Sequence, residues 1–409
     1  MKGIHVTSEI TPLKKVLLHR PGKELLNLTP DTLHEMLFDD IPFLKVAQQE
    51  HDAFARILRD NGVEIVYLED LMTEVLDENP ELVHKFLYQW LSEGNIHTKR
   101  WQDKLYNYLV SNFQGKDLVL KTMEGITLKE MGEGSAHYSL QDMIAPPDDL
   151  IIAPMPNLYF QRDPFASVGD GAFVNRMYSP TRGRETIYAD YILNYHPDFA
   201  GIVKRYYDRK KHATIEGGDI LILNESVLAI GISQRTSPDA VEMAALNMFA
   251  DPECKIRTVL AFKIPSSRAF MHLDTVFTRI DYDKYTIHPG IMGPLEVYEI
   301  TPHHRPGELR IRRLDDTLEH ILEEYTGIKN IELIYCGGGD LIAAAREQWN
   351  DGSNTLCIAP GTIVVYERND ITNAALRKRG LNVLEMPSAE LSRGRGGPRC
   401  MSMPLIRED

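Results

Sequence analysis

A recurring unit constrains this chain more than any other feature: a strand, a second strand, a helix with apolar period near 3.6, then a closing strand. It recurs about five times. In the first copy Val16-Leu17-Leu18 reads as strand, 48–61 as an amphipathic helix on Phe54, Ile57 and Leu58, and 63–68 as the closing strand, with Gly62 as the stop signal between them. The second runs through 165–178 and a helix around 188–195 that His196-Pro197 ends. The third, the clearest, begins with Ile215-Glu216-Gly217-Gly218-Asp219-Ile220, continues through 227–232, places a helix at 239–250 and finishes on 258–262. The fourth spans 271–280, a helix over 317–325 and a strand over 331–335. The fifth opens with Gly337-Gly338-Gly339-Asp340-Leu341-Ile342, an echo of Gly217-Gly218-Asp219-Ile220, and closes through 362–366, a helix at 372–379, Gly380 and 383–386. A quasi-fivefold ring of such units accounts for the pattern. An open α/β sheet also alternates strands and helices, and periodicity alone does not separate the two.

One segment breaks the repeat. From about Leu71 to Pro147, apolar residues fall at helical spacing: Leu82, Val83, Phe86, Leu87, Trp90 and Leu91, then Trp101, Leu105 and Leu109. The reading is a helical insertion at 71–147 within an α/β catalytic domain formed by 1–70 and 148–409, with Pro146-Pro147 returning the chain to Leu150-Ile151-Ile152.

Composition removes several partners. The 409 residues carry a net charge of −14, which disfavours nucleic acid and anionic membrane surfaces. Met1 to Ile10 holds no apolar signal core, and the longest unbroken apolar run, 341–345, falls far short of the roughly 20 residues that cross a bilayer. The four cysteines, Cys254, Cys336, Cys357 and Cys400, form no CxxC pair, which fits a reducing, cytoplasmic setting. Repeat folds expose surfaces that pair, so a homo-oligomer is expected.

The polar signatures fall at corresponding points of the repeats: 157–165, then Glu216-Gly217-Gly218-Asp219, His272-Leu273-Asp274 and Cys400. Turns placed this way gather at one end of a ring, bringing carboxylates, a histidine and a thiol together. Taken singly each has a plain reading: His272 as a satisfied core histidine, the double glycine as a tight turn. Cys400 stands apart because Arg393, Gly394, Arg395, Gly396, Gly397, Pro398 and Arg399 precede it. Such a loop is expected to be mobile and electropositive, lowering the thiol pKa, although a flexible tail with an incidental cysteine fits too. Cys254, Cys336 and Cys357 read as inert core. No HxxxH, HExxH or paired-cysteine spacing appears, so no metal is expected.

Taken together, these motifs resemble one family. His5-Val6-Thr7-Ser8-Glu9, Leu37-Phe38-Asp39-Asp40, Met155 to Phe160, Arg162 to Gly169, Glu216-Gly217-Gly218-Asp219, Met271-His272-Leu273-Asp274-Thr275 and the terminal Arg399-Cys400-Met401-Ser402-Met403-Pro404 are similar, over essentially the whole chain, to the arginine deiminases of the guanidino-group-modifying superfamily. The resemblance implies a five-bladed α/β propeller and a cofactor-free hydrolase turning L-arginine into L-citrulline and ammonia. Cys400 would be the nucleophile, His272 the acid and base, Glu216 its orienting carboxylate, and Asp163 and Asp274 the guanidinium ligands. Arg182, Arg235 and Arg395 would meet the substrate α-carboxylate, with Asn157 near its amino group and Phe160 along its stem. Arg184 rivals Arg182, Arg393 rivals Arg395, and Asp219 has no assigned role. Alternatives are a deiminase or amidinotransferase for another guanidino compound, a non-catalytic arginine-binding protein, and a metal-dependent ureohydrolase, which the missing metal motifs disfavour.

Overall fold

The computed structural model describes residues 2–131, 149–293 and 295–409. Five sheets share one pairing pattern, in which a first strand runs antiparallel to a second and the second runs parallel to a third. A parallel partner cannot be reached through a tight hairpin, and each unit makes the crossover through a helix. The clearest is the third unit: Ile220–Asn224, Val227–Ile232, helix Pro238–Ala250 and Thr258–Lys263. Its helix starts on Ser237, whose side chain accepts from the Ala240 N–H, with Pro238 at the first turn. The second unit uses Phe165–Val168, Gly171–Val174, helix Thr186–Tyr195 and Lys204–Tyr207. The fourth uses Phe277–Arg279, Lys284–Ile287, helix Leu318–Thr326 and Glu332–Tyr335, and the fifth Leu356–Ala359, Thr362–Tyr366, helix Asp370–Lys378 and Asn382–Met386.

Three features depart from the sequence reading. The first unit borrows its first strand from the far end of the chain: Met403–Arg407 pairs antiparallel with Leu13–Leu18, which runs parallel to Glu64–Tyr67. The hairpin Glu296–Pro302 and Leu309–Leu314, on the connection within the fourth unit, joins the third unit's sheet and widens it to five strands. The phrase expected to open the fifth unit as a strand does not. Gly337, Gly338 and Gly339 all take positive φ, and Asp340 caps a helix, Leu341–Trp349, by accepting from the Ala343 N–H. A Gly-Gly-Asp followed by two apolar residues serves a strand entry at 217–220 and a helix cap at 337–340 because its glycines permit either turn.

The helices Leu68–Glu78, Glu81–Glu93, Lys99–Asn112 and Gly115–Glu124 fall in the segment that breaks the repeat. Trp90, Leu91, Leu105 and Leu109 are fully buried and share a core cluster with Phe173, Ile230 and Leu405. The end of the expected insertion, including Pro146 and Pro147, lies outside the described residues. Among the described residues no helix is long and apolar enough to cross a membrane.

Candidate active site

Each unit enters its first strand through a short polar turn: 161–163, 216–219, 272–274, 351–354 and 399–400. Hydrogen bonds link the five turns in a closed cycle. Gly217 N–H donates to the Asp163 carbonyl at 3.2 Å, and Leu273 N–H to the Asp219 carboxylate at 2.8 Å. The Asn354 amide donates to the Asp274 carbonyl at 3.2 Å while its oxygen accepts from the Cys400 N–H at 3.0 Å. Arg162 N–H donates to the Cys400 carbonyl at 3.0 Å, returning to the start. Glycine is required within this cycle at 218, where a Cβ would lie 2.6 Å from His272 Nδ1.

These turns bring the five expected catalytic side chains together, all buried. His272 Nε2 lies 2.7 Å from Glu216 Oε2, and its Nδ1 faces Asp163 Oδ1 at 3.8 Å. Burial disfavours an imidazolium, yet Asp163, Glu216 and Asp219 outweigh it and lift the His272 pKa to about 9. Burial also opposes the charge on Glu216, but the His272 hydrogen bond and Arg235, 3.9 Å away, hold its pKa at about 2. Cys400 Sγ sits 3.7 Å from Asp274 Oδ2, which accepts from Arg399 at 2.7 Å. Burial, with Asp274, Asp163 and Asp351 nearby, keeps the Cys400 thiol well above its usual pKa, and Arg399 only partly opposes them.

That last result corrects an expectation. The loop before Cys400 is neither free nor electropositive, because acids neutralise its arginines, most of them from distant segments: Arg393 binds Asp40 and the nearby Glu390, Arg395 binds Asp39, and Arg399 binds Glu9 and Asp274. Counting arginines in one loop cannot reveal partners that other loops supply. The remaining cysteines are buried, and burial raises Cys336 to about 11 and Cys357 to about 12.

Asn157, Phe160, Asp163, Arg182, Arg235, His272, Arg395 and Cys400 line one cavity; Glu216 and Asp274 bond to or touch its reactive groups from behind. Arg182 faces the cavity, bound to Asp163 at 2.6 Å and Glu185 at 2.8 Å, whereas Arg184 donates to the Ala153 carbonyl and lies over the Trp90 ring. Arg395 likewise lines the cavity and Arg393 does not. Asn157 donates to the Met36 carbonyl at 2.8 Å. Asp219 does not line the cavity: it braces the turns, bound by Leu273 and Ser233, and burial raises its pKa to about 6. The sequence reading held Leu37 only as part of a motif, with no place in the site, and did not name Arg268 or Asn354. Asn354 had a signal, since 351–354 stands before a first strand just as the other turns do.

The decisive detail is what lacks a partner. Asp163 Oδ1 and Asp274 Oδ1 are buried and accept no hydrogen bond. Each such orphan costs about 1–3 kcal/mol unless a ligand supplies donors. Asp163, Glu216 and His272 also offer ligand atoms within 4.8 Å of one another, a cluster that spacing did not reveal. His272 already bonds Glu216, and Arg182 already bonds Asp163, so cations of the protein itself hold this cluster.

The fold is shared with dimethylarginine dimethylaminohydrolases. DDAH from Pseudomonas aeruginosa, solved as a cysteine-to-serine mutant complexed with citrulline, matches with a TM-score of 0.52 and 15% identity over 96% of this chain and 98% of that one. The chain belongs to the arginine deiminase family, whose pattern matches residues 34–407. It is 61% identical to the arginine deiminase of Treponema denticola over 409 residues, covering all of both chains. The arginine deiminase of Clostridium perfringens is 53% identical, over 100% of this chain and 99% of that one.

Proposed function

We propose that this protein hydrolyses L-arginine to L-citrulline and ammonia without a cofactor, through a covalent amidino-cysteine on Cys400. The observation that carries the reading is the pair of unpaired, buried carboxylate oxygens on Asp163 and Asp274, the two acids that also hold Cys400 protonated. A guanidinium ion supplies planar pairs of N–H donors and a positive charge. Its arrival satisfies the orphan oxygens and cancels the field that suppresses the thiolate, so the Cys400 thiol gives up its proton to solvent and Sγ is left as the thiolate. Cys400 Sγ then attacks the guanidinium carbon, and His272 gives its proton to one amino group, which leaves as ammonia. Neutral His272 next takes a proton from water, whose oxygen attacks the same carbon. Collapse expels Sγ, the hydroxyl proton passes to solvent, and a ureido product remains. Glu216 holds His272 through both steps.

Arg182, Arg235 and Arg395 share the cavity and fit an α-carboxylate, which agmatine lacks. Asn157 and Phe160 would flank the amino group and the aliphatic stem. The cavity encloses about 20 Å³, room for a water but not for arginine, so binding displaces part of its wall. The cycle of hydrogen-bonded turns supports a five-bladed propeller made by 1–70 and 148–409, with 71–147 inserted. A cytoplasmic homo-oligomer completes the reading, and sedimentation velocity checks the assembly.

The test is citrulline and ammonia release from L-arginine by purified protein with no added metal, with agmatine and Cys400→Ala in parallel. Both products in equal amounts from arginine alone, and none from the variant, are expected. Arginine binding with neither product would overturn the reading, and loss of activity in chelator would replace it with a metal-dependent one.

A further inference from the structure

We propose that Trp349 is a positioning residue: its ring holds the Arg395 guanidinium at the cavity wall and so tightens binding of guanidines that carry a carboxylate. The proposal rests on the reading that Arg395 meets the substrate α-carboxylate. Trp349 ends the helix Leu341–Trp349 and is 49% exposed, an unusual place for the largest apolar side chain. Its partner explains the position. Arg395 Cζ lies 3.6 Å from the Trp349 ring centroid, well inside the 4.6 Å of Lys104 over Trp101 and the 5.7 Å of Arg184 over Trp90.

Arg395 needs such a hold. Its backbone takes φ 62°, a left-handed conformation rare outside glycine, between Gly394 and Gly396, whose lack of side chains lets Phe160 and Tyr159 pack close. Arg182 is held by two carboxylates at 2.6 and 2.8 Å. Arg395 has one, Asp39 at 3.4 Å, and Asp39 is already bound by Arg268. Its Nε is buried without a partner. Stacking uses the face of a guanidinium and leaves the N–H groups along its edge free for a carboxylate. Trp349 therefore fixes the plane of Arg395 without competing for the donors that recognition requires.

The experiment compares citrulline formation by wild type, Trp349→Ala, Trp349→Phe, Arg395→Ala and the Trp349→Ala/Arg395→Ala double variant. In Trp349→Ala, KM for L-arginine should rise about 5- to 30-fold with kcat within about twofold. Trp349→Phe should recover most of the rise, and Trp349→Ala should add little once Arg395 is gone. Titrating Cys400→Ala with arginine should shift tryptophan emission, and the shift should vanish when Trp349→Phe is added, since Trp90 and Trp101 are buried. An unchanged KM in Trp349→Ala, a full additional KM rise in the double variant, or a fall in kcat alone would overturn the proposal. A wild type that makes no citrulline would instead sink the arginine-hydrolase reading itself.

Discussion

Among the described residues, two buried histidines sit between pairs of carboxylates, His19 and His272, and the second belongs to the candidate active site. His19 reaches Glu69 at 2.8 Å and Glu24 at 3.1 Å, and burial, which opposes its charge, is overcome by these acids so that its pKa rises to about 10. Glu24 also accepts from the Gly22 N–H at 2.6 Å. His272 resembles it in burial, in charge and in the direction of its shift. The difference lies in what is unfinished: His272 bonds Glu216 but stands 3.8 Å from Asp163, whose Oδ1 has no partner. A shifted pKa marks both places; unsatisfied bonding beside a buried thiol marks one. The His19 cluster joins the end of the strand Leu13–Leu18 to Glu69 in the helix Leu68–Glu78, and none of its side-chain atoms is both buried and unpaired.

The sharpest way to break this comparison is to remove the groups on each side. Cys400→Ala should lower citrulline formation about 10⁴-fold or more with the circular dichroism spectrum retained. His272→Gln should lower kcat about 10²- to 10⁴-fold. His19→Gln should leave kcat per folded molecule within about threefold yet cost about 3–5 kcal/mol in urea unfolding, because Glu24 and Glu69 lose the cation between them. A His19→Gln protein that is stable but inactive would erase the distinction.

Acidity sharpens it further. Both histidines have folded pKa values above their ordinary 6.5, so the stability they contribute is complete below that value and is lost as pH rises through about 9 for His272 and about 10 for His19. Wild-type unfolding free energy should fall between pH 7 and 10.5, and His19→Gln should lose measurably less across that window. The smallest effect concerns the thiol. Asp351→Asn removes one acid that holds Cys400 protonated and should speed iodoacetamide labelling of the empty protein a few-fold at pH 8.

Much of this arrangement was legible in the sequence, for a physical reason. Strand and helix periods depend on neighbours a few residues away, so the repeat around Ile220 and Val227 could be read directly, as could the turn residues Glu216, His272 and Asp274 at equivalent points. The first strand of the first unit could not, because Met403–Arg407 acquires its place only by pairing with Leu13–Leu18. Nor could the state of Cys400: the arginines of its loop are paired with Glu9, Asp39 and Asp40, which the sequence places more than 350 positions away. The Gly337-Gly338-Gly339-Asp340 phrase misled because local chemistry alone permits two outcomes there. Trp349 gave no signal, since its partner lies in another loop and its spacing on the helix is unremarkable.

The borrowed strand also fixes when in folding the chemistry can exist. The Arg399–Glu9 pair joins residues 390 positions apart, and Cys400 lies next to it, just ahead of the strand that completes the first unit. Long loop closures of this kind form late and slowly. A growing or partly folded chain can therefore shape His272, Glu216 and Asp163 while the Cys400 thiol is still unplaced. Recovery of activity during refolding would then report closure of the first unit, and a chain cut back before Met403 would keep most of its core but lose the register that holds the thiol.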